Sequence, residues 1–292
     1  AADSSEDITS VAAGISASGT ASVMLDASVH DLDIHSRAFI GHDPVDDDLT
    51  DSGLVHANGS VGVSADDKTE IDKVVGVLAV GGSAGIGAAG GVTIISKKTE
   101  AFVGPNATVV GDGNTAGISV KTGAFDFTPV SDSFDPSAAE SEGIEAGDQD
   151  ENADTGSMAE SGEVSLPTLK DPEDESGTAT TTPDGRSAEA AETGGFGGVA
   201  VTATNQDDIE IFTMSLAGGT VGVAISAGVN VINTDTAAFV GAGAQVNVDD
   251  AGANSSQSVH VAAANDFYHV AVAGTLAGGA VRVAPAADVS VL

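Results

Sequence analysis

FTMSLAGGTVGVAISAGVNVINTDTAAFVG, residues Phe212 to Gly241, can be laid without a gap on VGVLAVGGSAGIGAAGGVTIISKKTEAFVG, residues Val75 to Gly104. The Gly-Gly pairs Gly81-Gly82 and Gly218-Gly219 coincide, as do the aliphatic runs Val92, Ile94, Ile95 and Val229, Val231, Ile232, and both stretches close on Ala-Phe-Val-Gly. A weaker copy ends at Arg37-Ala38-Phe39-Ile40-Gly41, and a partial one runs from Leu276-Ala277-Gly278-Gly279 to Leu292. The chain is therefore an array of units, to be read as an array before any motif in it is read as a site.

Within the unit, Val221, Val223, Ile225, Ala227, Val229 and Val231 alternate with Gly222, Ala224, Ser226, Gly228 and Asn230. Period two is the signature of a strand with two unlike faces. The β-branched set Val221, Val223, Ile225, Val229 and Val231 is expected to face the core with its counterparts in the preceding unit. The nearly side-chain-free face opposite is left either to water or to the close approach of another sheet. Phe39, Phe102 and Phe239 recur at the unit's end and are expected to stack as an aromatic ladder.

Composition agrees with an all-β, repeat-built chain. Of 292 residues 41% are hydrophobic but only 3% aromatic, with 38 Gly and no Trp, so the core has to be built from Val, Ile, Leu and Ala in thin layers. Phe39 and Phe102 are 63 residues apart, which suits three lengths of chain of roughly 20 residues per layer of a β-solenoid better than a sandwich. With no Cys there are no disulfides, thiolate metal sites or cysteine nucleophiles. A formal net charge of -35 argues against nucleic acid and anionic membranes as partners.

Phe102 to Phe239 spans 137 residues, so an insertion interrupts the array. Residues 125–195 hold 19 Asp or Glu against Lys170 and Arg186, and five of the eight prolines. Such a segment cannot bury enough apolar surface to offset its ordering entropy unaided. The expected organisation is two β units over residues 1–124, an acidic and mobile outward loop over 125–195, and two more units over 196–292, the last incomplete. The open edge of an incomplete unit is expected to pair with another chain.

Several literal motifs carry little chemistry. Gly85-Ile86-Gly87-Ala88-Ala89-Gly90 spells G-x-G-x-x-G, but no helix pattern follows it, and the aligned copy has Gly222, Ala224 and Ala227 at the glycine positions. The uncharged span Val74 to Ile95 is long enough at about 20 residues to cross a bilayer as a helix, yet its glycines and alternation read as strand. Asp43, Asp46, Asp47, Asp48 and Asp51 cluster as calcium ligands do, without EF-hand spacing, and a solvated loop is the competing reading. His30, His35 and His42 lie near Asp31, Asp33 and Asp43. Asp31, Asp33 and His35 would share one strand face that excludes His30, and surface histidines are the simpler reading. No G-x-S-x-G elbow occurs. Asn58, Asn106 and Asn254 head N-x-S/T sequons in expected turns, where chance matches compete with glycosylation. No catalytic residue and no cofactor other than calcium is indicated.

The order of strand, Ala-Gly-Gly turn, small-residue strand, polar step, Ala-Phe-Val-Gly and Val-x-Val-x-Ala, carried by LAGGTVGVAISAGVNVINTDTAAFVGAGAQV and VHVAAANDF, resembles the repeats of large secreted bacterial adhesins. The leukotoxin-like and filamentous-haemagglutinin-like surface proteins are those it is similar to, over most of the chain outside 125–195. The resemblance implies a right-handed parallel β-helix, export, and a filament, stalk or adhesive role at the cell surface. Together with the repeat, the open terminal edge and the small-residue strand faces, it gives the expectation of a non-enzymatic, secreted structural protein that self-assembles through strand edges and meets cell-surface glycans. The alternatives are a carbohydrate-binding or carbohydrate-cleaving β-helix and a calcium-dependent binding module.

Overall fold

The computed structural model describes residues 1–43, 53–125, 191–249 and 251–292, and those residues form strands and turns with no helix among them. Each of the first three repeats contributes two long strands and one short one, and the fourth one long strand and two short ones. The first repeat holds β1 (Ala2–Ser18), β2 (Ala21–Ile40) and β3 (Leu54–Ala57). The second holds β4 (Val61–Gly81), β5 (Ala84–Val103) and β6 (Thr108–Gly111), and is followed by β7 (Ile118–Phe125) and β8 (Ala191–Phe196). The third holds β9 (Gly198–Gly218), β10 (Val221–Val240) and β11 (Gln245–Val246), and the fourth β12 (Ser258–Ala277), β13 (Val281–Val283) and β14 (Ala286–Val291).

Equivalent strands of successive repeats lie side by side, in parallel. The first sheet has the order β1-β4-β9-β12, the second β2-β5-β10 followed by β13 and β14, and the third β3-β6-β11. All three expected phenylalanines fall in one row of the second sheet, where their rings stack at 5.0 Å and 4.9 Å within 6° of parallel. Arg37 lies 5.4 Å over the central ring, Phe102, which is fully buried.

The gapless alignment holds along β5 and β10, where Ala84 pairs with Val221 and Val103 with Val240. It fails by one residue in the first sheet, where Val75 pairs with Thr213 and not with Phe212. The third repeat is one residue shorter at the corner between its long strands. A one-residue slip exchanges the two faces of a strand, so placing the deletion in the corner keeps Phe212 outside and Thr213 inside.

The face assignment from sequence is inverted. Val221, Val223, Ile225, Val229 and Val231 stack with their counterparts in β5, but on the outer face, and Val229 is 41% exposed. Gly222, Ala224, Ser226, Gly228 and Asn230 point into the core. The cause is the width of the gap between the first and second sheets. A Cβ on Gly85 would lie 2.6 Å from the Ala79 carbonyl oxygen, and one on Gly87 would lie 2.9 Å from Ser215 Oγ and 3.0 Å from both the Leu216 oxygen and Val77 Cγ1. No branched side chain fits at these positions of β5 and β10, so their Val and Ile residues are displaced to the outside, while Val75 and Val77 of β4 occupy the gap from the first sheet.

Away from the glycine corner the inner residues become larger. Ile71, Ile95, Ile209, Ile211 and Ile232 form one buried cluster, and Val63, Ala65, Val103, Val109, Val199 and Val201 form another where the third sheet meets the first two. β7 and β8 pair with each other, antiparallel, and contact β9 and β12. The expected insertion 125–195 is thus entered and left through a two-stranded stem, while 126–190 lies outside the described residues.

The two kinds of glycine make separate predictions. Gly85→Ala should lower stability by ~1–3 kcal/mol through overpacking. Gly90→Ala, whose Cβ would meet nothing within 4 Å, should be neutral or slightly stabilising. Thermal unfolding of the two variants compares them directly.

Candidate functional site

The sequence between the small-residue stretches, SADDKTEIDK from Ser64 to Lys73, continues β4 without a break. Strand alternation turns Asp67, Thr69 and Lys73 inward, and in β5 it turns Lys97 to meet them from across the gap. Lys97 Nζ is ion-paired with Asp67 Oδ1, donates to Asp207 Oδ1 at 2.7 Å and donates to Thr69 Oγ1 at 2.7 Å. The Lys97, Asp67 and Asp207 side chains are all wholly buried. Asp67 also accepts from Ser36 Oγ at 2.7 Å, and Asp207 from Asn205 Nδ2 at 2.5 Å and Thr234 Oγ1 at 3.3 Å. These residues come from the first three repeats, so the cluster ties three layers together.

Lys73 is buried without a carboxylate partner among the described residues. Its ammonium donates to the Val92 oxygen at 2.7 Å, the Ser28 oxygen at 2.9 Å and Thr93 Oγ1 at 3.3 Å. Desolvation pushes its pKa down to about 8. His30 also points inward, and burial together with the nearby Lys73 charge lowers its pKa. The histidine constellation is therefore divided. Asp31, Asp33 and His35 lie outside, with His35 Nε2 3.3 Å from Asp33 on an exposed surface, and His30 lies inside.

Of the acidic cluster expected to suit calcium, Asp43 is gripped by Arg37 through Nη1 at 2.5 Å and Nη2 at 2.9 Å. Arg37 also meets Glu100 at 2.8 Å, and the Asp43 hydrogen bond is the largest cause of its raised pKa. Asp46, Asp47, Asp48 and Asp51 lie outside the described residues. Among the described residues no group of three His, Cys, Asp or Glu is placed to hold a metal ion. Asn58, Asn106 and Asn254 are exposed at corners. Asn58 accepts from Asn114 at 3.2 Å, Asn254 accepts from the Ser256 backbone at 3.0 Å, and Asn106 has φ 57°, the left-handed conformation that Gly243 takes in the next layer.

Two surfaces face solvent with distinct chemistry. Between the β7–β8 stem and the first sheet lies a cavity of ≈ 140 Å³ whose lining includes Ser64, Asp66, Lys121 and Thr193. Among the described residues Asp66 is the carboxylate that lines it, and Asp66 accepts a hydrogen bond from the Thr204 hydroxyl. The outer face of the second sheet is apolar instead over the half nearest the glycine corner. A row of small residues, Ala27, Gly90, Ala227 and Ala287, runs across the four layers beside a ridge of Val29, Val92, Val229 and Val289. Gly85 to Gly90 lies on β5, within a strand, and Val74 to Ile95 forms the ends of two strands and their corner. No helix among the described residues is long and apolar enough to cross a membrane.

Sequence reading missed the inward charges because a polar strand segment looks like a solvated one. The available signal was phase: Asp67, Thr69 and Lys73 share the odd-numbered register of Val63, Ala65, Val75 and Val77.

Removing one partner of a buried ion pair leaves an uncompensated charge. Lys97→Met should therefore cost ~3–5 kcal/mol in denaturant unfolding, and adding Asp67→Asn and Asp207→Asn should restore part of it. Lys73 gives a pH dependence of known sign. Its folded pKa of about 8 is below the unfolded value, so the unfolded chain binds more protons between about 8 and 10.5, and stability from this group rises with pH there. Compared with the parent protein, Lys73→Met should lose that rise in urea titrations across the window.

No protein-family model, no curated protein and no solved structure matches the chain.

Proposed function

We propose that this protein is a non-enzymatic structural segment, a right-handed β-solenoid belonging to an extracellular filament or adhesive stalk. The observation that carries the reading is the contrast between inner and terminal layers. Val199 and Val201 of the third repeat are fully buried, whereas Val259 and Val261, paired beside them in the fourth, are 47% and 44% exposed. Inward-facing residues at an end layer need a further layer to cover them, and β12 has one hydrogen-bonding edge facing away from β9.

Parallel in-register sheets support a solenoid, since each long strand reaches its parallel neighbour only after the chain has traversed the other sheets. Right-handedness is the hand that parallel crossover connections almost always take. The layer that covers the end is either another repeat of a longer chain or a second copy. An acidic surface keeps such arrays apart in solution except where uncharged parts of two copies meet. Corner residues, among them the three sequon asparagines, are the positions from which cell-surface glycans would be met or carried.

Negative-stain electron microscopy over a range of protein concentrations tests this. Rods that lengthen with concentration are expected, and Val261→Asp, which places a charge on the open layer, should hold them at single-particle length. Single rods at every concentration would place the covering layer in the same chain. Compact particles with no long axis would sink the solenoid reading.

A further inference from the structure

The outer face of the second sheet is uncharged over most of its area, although the chain carries 44 Asp and Glu. From Ala21 to Asp31 in β2, Ala84 to Ile94 in β5, Val221 to Val231 in β10 and Val281 to Val291 in the last repeat, the outward residues of the paired strands are Ala, Gly, Val, Ile or Leu. Asp31, in the outermost layer, is the exception. Four strands and eleven residues make a face of roughly 19 Å by 36 Å, about 700 Å². Monomeric proteins rarely expose a contiguous apolar patch of that size.

We propose that this face is a lateral interface between two copies of the chain, packed sheet on sheet. The area supports a second copy as occupant. Two such faces together bury on the order of 1,400 Å², within the range of specific protein–protein interfaces. The relief is also self-complementary. The row of Ala27, Gly90 and Ala227 is a groove, open above Gly90, and the adjoining valine ridge containing Val92 and Val229 is of the kind that fills it. Two identical faces related by a two-fold axis place ridge against groove on both sides.

Charge favours the same arrangement, because Asp31 at one corner is the one carboxylate of this face among the described residues, so two strongly acidic chains meet here with little opposing charge. The chain's own acidic segment is a poor cover. Residues 126–190 lack an apolar run, and the stem that leads to them is attached to the first sheet, not the second. The interface is independent of stacking through end layers, since it uses a face and not an edge.

The test uses sedimentation velocity on the full chain, with Val261→Asp as background so that end-to-end growth is suppressed. A concentration-dependent dimer is expected. Ile225→Asp combined with Val229→Asp should weaken it roughly tenfold or more, with unfolding midpoint unchanged because both side chains lie outside the core. As the chain has no cysteine, Ala227→Cys provides a unique thiol, and a short bismaleimide should link two copies through it. A monomer at every concentration, or a dimer that survives the double substitution and gives no cross-link, would overturn the proposal. So would a monomer that floats with neutral lipid vesicles through this face, which would make lipid the occupant. None of these results depends on whether rods lengthen, so this interface and the end-layer reading fail separately.

Discussion

The gap between the first two sheets governs the rest of the structure. Near the corners joining β4 to β5 and β9 to β10 the backbones come so close that Gly85, Gly87 and Gly222 leave no room for a Cβ, and the inner faces of β5 and β10 there are limited to Gly, Ala and Ser. That limit has two consequences. Branched aliphatic residues of β5 and β10 near the corner, though they suit a pleated strand surface, are placed on the outer face. And the apolar area buried per residue at this end is small, so cohesion there rests on backbone hydrogen bonds between layers and on close van der Waals contact.

Small-residue strands specify register weakly, because sliding by two residues keeps the faces and changes little in the packing. The buried ions discriminate where the glycines do not. Lys97 meets Asp67 in its own layer and Asp207 in the next, at neighbouring inward positions of β4 and β9. A two-residue slip of either strand would withdraw a carboxylate from the ammonium and leave charges buried and unpaired. The net stability gained from such a cluster is small compared with the cost of breaking it, and its effect is to select one alignment. The stacked Phe39, Phe102 and Phe239 act in the same sense at the far end of the second sheet, since a slip of any kind would part the rings.

The repeat, the strand period and the phenylalanine row were legible in the sequence because each depends on identity at a fixed spacing. Phe102 with Phe239 and Val229 with Val289 pair as that spacing required. The faces were not legible. Alternation says that Val229 and Asn230 point opposite ways, and the usual rule then turns Val229 inward. The rule fails because the available volume, a property of two sheets together, does not appear in either strand alone. The same blindness hid Lys73, Lys97 and Asp67, whose charges read as solvent-facing. The one-residue deletion at the corner escaped for another reason: Gly81-Gly82 and Gly218-Gly219 are alike enough to align in either frame.

An inverted cross-section follows from these features, with Lys, Asp, Thr and Asn inside and Val, Ile and Leu on one outer face. The inversion is not a general property of the chain. On the first sheet the outward residues of β4 include Asp66, Lys68, Glu70 and Asp72, the polar side of an ordinary half-exposed strand. On the second, Ile86, Ala88, Gly90, Val92 and Ile94 face out without a charge among them. If narrow spacing alone had displaced the aliphatics, Thr and Ser would serve on the outer face as well as Val, with similar strand preference and better solubility. Their exclusion from the outward rows of β2, β5 and β10 over the same paired residues in three layers is a feature that spacing does not explain, and a surface that has to be covered does.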